Sequence, residues 1–193
     1  MRICVYGAAS PTIDNEYKVQ VEALGRELVK RGHSLVFGGG GNGLMGAVAR
    51  GVHEADGYIF GVMPKFFEDE NIEDVYPHCD AFVEPDTMRE RKQIMEDNAD
   101  AFIIVPGGIG TFEEYFEILT SKQLCRHNKP IAFFNIFGYY NELAVVMEES
   151  IKKGFIRKIC NDLVYISDDM NKIFDYIEAP VDNSLTVKDL KDG

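Results

Sequence analysis

The chain has 193 residues, of which 46% are hydrophobic and 27% are charged, and its formal net charge at pH 7 is −12. A chain of this length and composition can bury enough apolar surface to fold as one globular domain without disulfides or a structural metal. The acidic balance argues against a nucleic-acid partner, which requires a basic surface, and the apolar runs are far shorter than the roughly 20 residues that cross a membrane.

Short apolar runs alternate with amphipathic stretches from the N-terminus onward. Ile3–Gly7 predicts a buried strand, and the apolar residues from Ile13 to Leu28 then recur on one helical face, which Gly32 ends. The later apolar runs predict strands at Ser34–Phe37, Tyr58–Met63, Ala81–Val83, Ala101–Val105, Ile131–Asn135 and Leu163–Ile166. The stretches around them predict helices at Leu44–Gly51, Met88–Asn98, Phe112–Arg126, Asn141–Lys153 and Asp169–Ile177.

This alternation predicts the fold class. Strands separated by helices pair in parallel through right-handed crossovers, so we expect an α/β fold with a doubly wound parallel sheet between two helical layers. One domain is expected over residues 1–178, and residues 179–193, which have few apolar anchors, are expected to form a flexible tail. The N-terminus lacks a signal-peptide pattern and the cysteines form no C-x-x-C pair, so a cytoplasmic protein with idle thiols is expected.

A glycine-rich loop, residues 38–46, follows the second predicted strand. Gly41-x-Gly43-x-x-Gly46 matches the pattern of dinucleotide sites, but the following strand ends in Pro64-Lys65 rather than in the acidic residue that an NAD ribose requires. No G-K-[ST] follows, which excludes a Walker A loop. The loop is typical either of a more general anion site at a helix N-terminus or of a tight turn that needs small residues.

A second glycine loop, residues 106–111, follows the most apolar predicted strand. Backbone amides from Gly108 to Thr111 can hold a phosphate, and the Thr111 hydroxyl can add a donor. The alternative is structural, because Thr111-x-x-Glu114 also has the spacing of a capping box at a helix N-terminus. Two such loops at the carboxyl edge of one sheet favour a binding site over two coincidental caps.

Arg91 lies on the apolar stripe of a predicted helix that opens with the capping box Thr87-x-x-Glu90. It is three residues after Met88 and four before Met95, and this spacing predicts that all three face inward. A buried guanidinium needs an anionic partner, and phosphate or carboxylate matches its geometry. The alternatives are an arginine that reaches back to solvent and an ion pair with an acid such as Glu114.

These motifs together resemble those of the LONELY GUY (LOG) family of cytokinin riboside 5′-monophosphate phosphoribohydrolases. The signature is carried by residues 106–114 and by Met88-x-x-Arg91-Lys92, and the resemblance extends over about residues 2–177. Further matching motifs are Gly38-Gly39-Gly40-x-x-Gly43-Leu44-Met45-Gly46, Met63-Pro64-Lys65, Asn128-Lys129-Pro130 and Asn135-x-x-Gly138-Tyr139-Tyr140. The resemblance implies a Rossmann-like fold, a homodimer, no cofactor, and hydrolysis of the N-glycosidic bond of a purine nucleoside 5′-monophosphate.

The resemblance also assigns residues. By position, Arg91 and Glu114 match the catalytic pair of the family, and no metal is expected. The residues expected to bind the substrate or its phosphate are Gly39, Gly40, Met88, Lys92, Gly107, Gly108, Gly110, Thr111, Glu113 and Thr120. The segment of residues 66–85 matches less well, and Glu73 is its candidate for an acid that contacts the substrate.

The chemistry of these residues agrees with the resemblance. Breaking the glycosidic bond builds positive charge on the ribose ring, which a carboxylate such as Glu114 can stabilise. A general AMP nucleosidase and a non-catalytic carrier of a phosphorylated cofactor remain alternatives, although a carrier would not need both Arg91 and Glu114. A decarboxylase is disfavoured because neither Lys65 nor Lys92 lies in a context typical of a Schiff-base lysine.

Apolar residues surround much of the predicted helix that begins at Phe112. They are Phe112, Tyr115, Phe116, Ile118 and Leu119. One face of a sheet cannot cover side chains on so many sides of a helix, so the surplus predicts contact with a partner subunit. The alternative is a large core within one subunit.

Overall fold

The computed structural model describes residues 1–70, 72–181 and 184–191. Its strands are β1 (Arg2–Tyr6), β2 (Ser34–Phe37), β3 (Ile59–Val62), β4 (Ala81–Val83), β5 (Ala101–Ile104), β6 (Ile131–Phe134) and β7 (Tyr165–Ser167). Its helices are α1 (Asn15–Lys30), α2 (Gly43–Glu54), α3 (Lys65–Asp69), α4 (Met88–Asp97), α5 (Ile109–Gln123), α6 (Asn141–Lys152), α7 (Met170–Glu178) and α8 (Val187–Lys191). Two 3₁₀ turns, Ile136–Gly138 and Lys158–Leu163, precede α6 and β7.

The strands form one parallel sheet in the order β4-β3-β2-β1-β5-β6-β7. The chain winds outward from β1 to β4, crosses back through α4, and continues on the other side of β1 with β5. In the register of the central strands, Ile3 lies beside Leu35 of β2 and Ala101 of β5. The order of the strands reverses between β1 and β5, which is where sheets of this class bind ligands.

Two apolar layers cover the faces of the sheet. One contains α1, α2 and α7, through residues such as Leu24, Val48 and Phe174. The other contains residues of α4 and α5, such as Met95 and Ile118. Since each of these side chains is almost fully buried, each contributes roughly 1.5–3 kcal/mol to folding. The predicted doubly wound, three-layer α/β fold is therefore confirmed.

Helices α1 and α2 are in direct backbone contact. A Cβ atom on Gly25 would lie 2.4 Å from the carbonyl oxygen of Val48, and one on Gly51 would lie 2.1 Å from that of Glu22. Only glycine permits this approach at both positions. The close packing buries most of α2, the helix that follows the first glycine loop, and thereby fixes its position.

Several predicted boundaries were wrong. Helix α5 begins at Ile109, three residues before the predicted Phe112, and Leu163 ends a 3₁₀ turn instead of starting β7. The short helix α3 was not predicted, because five residues carry too little periodicity to be recognised. Cys4 is buried in β1, and no helix of the described residues is long and apolar enough to span a membrane.

The boundary at residue 178 and a flexible tail beyond it stay predictions. Within that segment, α8 buries Leu190 against Cys160 and Leu163, in a small cluster separate from the two main layers. The carbonyl oxygen of Lys188 accepts a hydrogen bond from Arg157 at 2.9 Å. Residues 182, 183, 192 and 193, which belong to the predicted tail, lie outside the described residues.

Candidate active site

A cavity of about 330 Å³ lies at the carboxyl ends of β1, β2 and β5, at the point where the strand order reverses. Its walls come from residues 5–10, from the two glycine loops, and from α4 and α5. The cavity brings together one basic side chain, Arg91, and two acidic side chains, Glu73 and Glu114. Segments distant in the sequence therefore converge on one cavity that holds three charged side chains.

Arg91 is held rigidly in the wall of this cavity. It is 9% exposed, and its Nε and Nη2 donate hydrogen bonds to the carbonyl oxygens of Val62 (3.1 Å) and Gly38 (3.2 Å). The Phe67 ring lies against the guanidinium, with its centroid 5.5 Å from Cζ. A Cβ on Gly38 would lie 1.9 Å from Nη2, so any larger residue at this position would displace the guanidinium. The inward orientation predicted for Arg91 is confirmed.

Glu114 is the partner of Arg91. Its Oε1 lies 3.7 Å from Nη1 of Arg91, and both side chains are 11% exposed. Burial raises the pKa of the Glu114 carboxyl to about 7, and the positive charge of Arg91 opposes this rise. A carboxyl that titrates near neutral pH inside a cavity is typical of catalytic sites.

Glu73 brings a second carboxyl to the cavity. Its Oε1 is buried and has no hydrogen-bond partner among the described residues. Burial raises the pKa of Glu73, and Arg91 again opposes the shift. A Cβ on Gly40 would lie 1.6 Å from this oxygen, so the first glycine loop provides the space that Glu73 occupies. An unpaired buried acceptor is costly unless a ligand donates to it.

The second glycine loop presents a free helix N-terminus. Gly108 is the N-cap of α5, so the amides of residues 108–111 precede the first hydrogen bond within the helix. Gly108 and Gly110 face open space, while Thr111 is 4% exposed and lines the cavity. Backbone donors and the positive end of a helix dipole suit a phosphate.

The structure does not form the capping box that was the alternative at Thr111-x-x-Glu114. Because the helix starts earlier, Thr111 is the third residue of α5, and its N-cap is Gly108, which has no side chain to cap this end. Glu114 is thereby free to face Arg91. The other predicted box is confirmed, since Glu90 accepts hydrogen bonds from the Thr87 amide and donates its own amide to the Thr87 hydroxyl.

Backbone groups of the first glycine loop mainly form hydrogen bonds with other parts of the protein. The amide of Gly41 donates to Asp74 (2.7 Å), and the carbonyl of Gly39 accepts from Tyr76 (2.8 Å). The amide of Leu44, at the start of α2, donates to Ala8 (2.8 Å). Gly40 lines the cavity and Gly39, which has a positive φ of 81°, does not. The two glycine loops therefore differ, and the second is the better anion site.

Other predicted binding residues lie outside this cavity. Met88 is 37% exposed at the first position of α4, so the prediction that it faces inward was wrong. Lys92 forms ion pairs with Glu113 and Glu117 on the outer side of the site. Thr120 lines a separate cavity of about 170 Å³.

Residues 8–10 complete the cavity, although none of them was among the predicted binding residues. This turn follows the central strand β1 at the carboxyl edge of the sheet, where ligands bind in this fold class. Ala8, Ala9 and Ser10 carry no ionisable group that would mark them in the sequence. Their contribution is shape and backbone, as in the hydrogen bond from the Ala8 amide to Pro106 (3.0 Å).

Comparison with known proteins places these residues in a family. A family model described as "Possible lysine decarboxylase" matches residues 45–177. The rice (Oryza sativa subsp. japonica) protein named probable cytokinin riboside 5′-monophosphate phosphoribohydrolase LOGL5 is 38% identical over 186 residues, which cover 94% of this chain and 74% of the relative. The chain belongs to the LOG family. Another LOG family member, Arabidopsis thaliana LOG5, is 35% identical over 190 residues, which cover 97% and 82% of the two chains.

The LOG family resemblance expected from the sequence is thus confirmed. Among solved structures, the Moco carrier protein from Chlamydomonas reinhardtii superposes with a TM-score of 0.68 over 92% of this chain and 94% of that chain. Its identity is 22%, so this similarity shows a shared fold.

Two lysines of this LOG family member, Lys92 and Lys122, have shifted pKa values. Burial lowers the pKa of Lys92 but its carboxylate partners raise it, and the net shift is upward. Burial lowers the pKa of Lys122 to about 8. Its ammonium, however, donates to the carbonyl of Lys129 (3.0 Å), and Lys122 does not line the cavity that contains Arg91 and Glu114.

Proposed function

We propose that the protein hydrolyses the N-glycosidic bond of an N6-modified adenosine 5′-monophosphate, releasing a cytokinin-type base and ribose 5-phosphate. The observation that carries the proposal is the buried pair of Glu114 and Arg91, which lines the same cavity as the free N-terminus of α5. A carboxylate for a cationic ribose and a site for its 5′-phosphate are the two elements that this reaction needs. The names of the LOG relatives support the same substrate.

The phosphate would bind at the start of α5. The amides of residues 108–111 and the Thr111 hydroxyl provide donors, and the helix dipole adds a favourable field. This contact is remote from the bond that breaks. Its binding energy therefore positions the ribose against Glu114 instead of acting on the reacting atoms directly.

The ribose would then lie between the carboxyl groups of Glu114 and Glu73. As the base departs, positive charge grows at C1′ and on the ring oxygen, and the Glu114 carboxylate stabilises it and orients the attacking water. Arg91 holds Glu114 in place through their contact at 3.7 Å. The buried Oε1 of Glu73, which lacks a partner, is available to accept a hydrogen bond from a ribose hydroxyl.

The proposal predicts that turnover requires the 5′-phosphate. Isopentenyladenosine monophosphate is expected to release its base, while the matching nucleoside reacts at least about 100 times more slowly, because it lacks the contact that positions it. Chromatography of base and ribose 5-phosphate measures both. AMP in a parallel reaction distinguishes a cytokinin-type from a general purine nucleotide hydrolase. Binding of phosphorylated ligands without any release of base would indicate the carrier function instead.

We further propose a cytoplasmic homodimer that acts without nucleic acid. Several large apolar side chains are exposed. Phe116 on α5 is 42% exposed. Val145 and Val146 on α6 are 57% and 60% exposed, and Phe155, which follows α6, is 84% exposed. Such apolar area on one subunit favours burial against a second copy. Light scattering is expected to give twice the mass of one chain, and Phe116→Glu is expected to shift it toward the monomer. A wild-type monomer would contradict the dimer.

A further inference from the structure

The turn of residues 135–141 follows β6 and contacts the second glycine loop, although it does not line the cavity. We call it the tyrosine turn. The hydroxyl of Tyr139 donates a hydrogen bond to the carbonyl oxygen of Gly107 at 2.7 Å. The hydroxyl of Tyr140 donates to the carbonyl oxygen of Val105 at 2.8 Å. Two consecutive tyrosines thus bind the backbone just before α5.

A third hydrogen bond, from the turn after β1, also holds this loop. The carbonyl of Pro106 accepts a hydrogen bond from the amide of Ala8 at 3.0 Å. Three successive carbonyls, those of residues 105, 106 and 107, are therefore each bound by a donor from another part of the chain. Residues 105–107 are buried, and buried backbone carbonyls need such donors.

The tyrosine turn is itself built to be rigid. Phe137 and Gly138 have successive positive φ angles of 53° and 75°, and this conformation is unfavourable for phenylalanine. Asn135 stabilises it, because its Oδ1 accepts from the Tyr140 amide (2.7 Å) and its Nδ2 donates to Asn141 (2.9 Å). Backbone strain of this kind persists where the surrounding contacts fix the conformation.

The two rings have different surroundings. Tyr140 is fully buried and packs edge-on against Phe133, with ring centroids 4.4 Å apart. Tyr139 is 42% exposed and lies beside Tyr17. Removal of the Tyr139 hydroxyl therefore leaves the Gly107 carbonyl without its donor beside a partly exposed ring, whereas removal of the Tyr140 hydroxyl leaves the Val105 carbonyl without its donor beside a fully buried one.

We propose that Tyr139 and Tyr140 are positioning residues that orient the amides of the phosphate site. The carbonyl of Gly107 and the amide of Gly108 belong to one planar peptide group, so fixing the oxygen also fixes the direction of the N–H. Tyr140 fixes the point at which the chain leaves β5. A hydrogen bond to the carbonyl also polarises the peptide group and makes its N–H a stronger donor. The inference rests on the proposed function in that the anion is the 5′-phosphate of the substrate.

The test is Tyr139→Phe in the full-length protein, with Tyr165→Phe as the matched control. Tyr165 is a partly buried tyrosine on β7 that stacks on Tyr176, away from the cavity. Calorimetric titration with ribose 5-phosphate is expected to show binding about 5–10 times weaker in Tyr139→Phe, the range that loss of one hydrogen bond produces. KM for the monophosphate should rise by a similar factor with kcat nearly unchanged, and the control should match the wild type.

Each outcome decides the proposal. Unchanged affinity for ribose 5-phosphate in Tyr139→Phe would overturn it, as would a lowered melting temperature with unchanged affinity. Wild-type protein that fails to bind ribose 5-phosphate would overturn it too, because there would be no anion site to orient. Wild-type protein that binds ribose 5-phosphate but releases no base would refute the proposed hydrolysis alone, and the affinity of Tyr139→Phe would still test the positioning role. In Tyr140→Phe, both affinity and melting temperature are expected to fall.

Discussion

Replacement of Glu114 by glutamine is expected to lower kcat by a factor of about 100 or more, the usual scale for a catalytic acid–base group. Glutamine keeps the size of the side chain but carries no negative charge to stabilise a cationic ribose. The measurement is base release from isopentenyladenosine monophosphate at saturating substrate. Turnover close to that of the wild type would remove Glu114 from the mechanism.

The pH dependence gives a second readout of the same residue. Burial raises the pKa of Glu114 to about 7, so the fraction of active carboxylate grows as pH rises through that value. For the wild type, kcat/KM is therefore expected to rise with pH up to about 7 and then level off. The substrate phosphate has a pKa of about 6 and adds its own inflection to the pH profile. The residual activity of Glu114→Gln should keep the substrate inflection and lose the one near 7.

The stability of this variant provides a control that does not depend on activity. Since folding raises the pKa of Glu114, the stabilising contribution is present in full below about pH 4.5 and is lost as pH rises through about 7. Ionisation of the buried carboxyl then costs the folded state roughly 3 kcal/mol. At alkaline pH, Glu114→Gln is thus expected to resist urea better than the wild type. A variant less stable at every pH would show that glutamine is not accommodated in the cavity.

Replacement of Arg91 by alanine is expected to lower kcat/KM by about 1,000-fold, because it removes a preorganised charge from the site. The guanidinium contributes the charge beside Glu114 and two hydrogen bonds to the carbonyls of Val62 and Gly38. Removing one partner of a buried ion pair also destabilises the fold, by about 3–5 kcal/mol. Steady-state kinetics on the monophosphate measures the loss. Without Arg91, the pKa of Glu114 should also rise, which moves the pH profile to higher pH.

Two further variants separate charge from geometry at this position. Arg91→Lys keeps a positive charge but cannot form the planar set of contacts, so it is expected to recover only a small part of the activity. Arg126→Ala removes an exposed arginine from beyond the far end of α5 and serves as the control, with activity unchanged. Activity in Arg91→Ala within about tenfold of the wild type would contradict a catalytic role for this residue.

The sequence was most informative where a pattern is local. The alternation of apolar runs and amphipathic stretches identified the parallel sheet, because the runs that form its inner strands are buried on both sides. The spacing of Arg91 and Met95 identified the inward face of α4, since residues four apart share one side of a helix. Met88 has the same periodicity but lies at the helix end, where little packs against it.

The remaining features depend on contacts between distant segments. The sequence allows a helix to start at Gly108 or at Thr111. The structure starts it after Gly108, where the tyrosine turn and Ala8 bind the preceding backbone. Glu73 reaches the cavity because Val75 pairs with Gly40 in an isolated antiparallel bridge. No periodicity in residues 66–85 indicates that pairing, so Glu73 could be named as a candidate acid but its position could not be predicted.

The strand order also has a consequence for how the molecule unfolds. β1 to β4 form one half of the sheet and β5 to β7 the other, and the halves are joined at the seam between β1 and β5, over which the cavity opens. A ligand in the cavity would contact residues of both halves and so would hold the two halves together. It stabilises the native state by RT ln(1 + [L]/Kd), about 2.7 kcal/mol at 100 times Kd. Substrate supply would then influence the resistance of the chain to proteolysis and its lifetime, as well as the rate of catalysis.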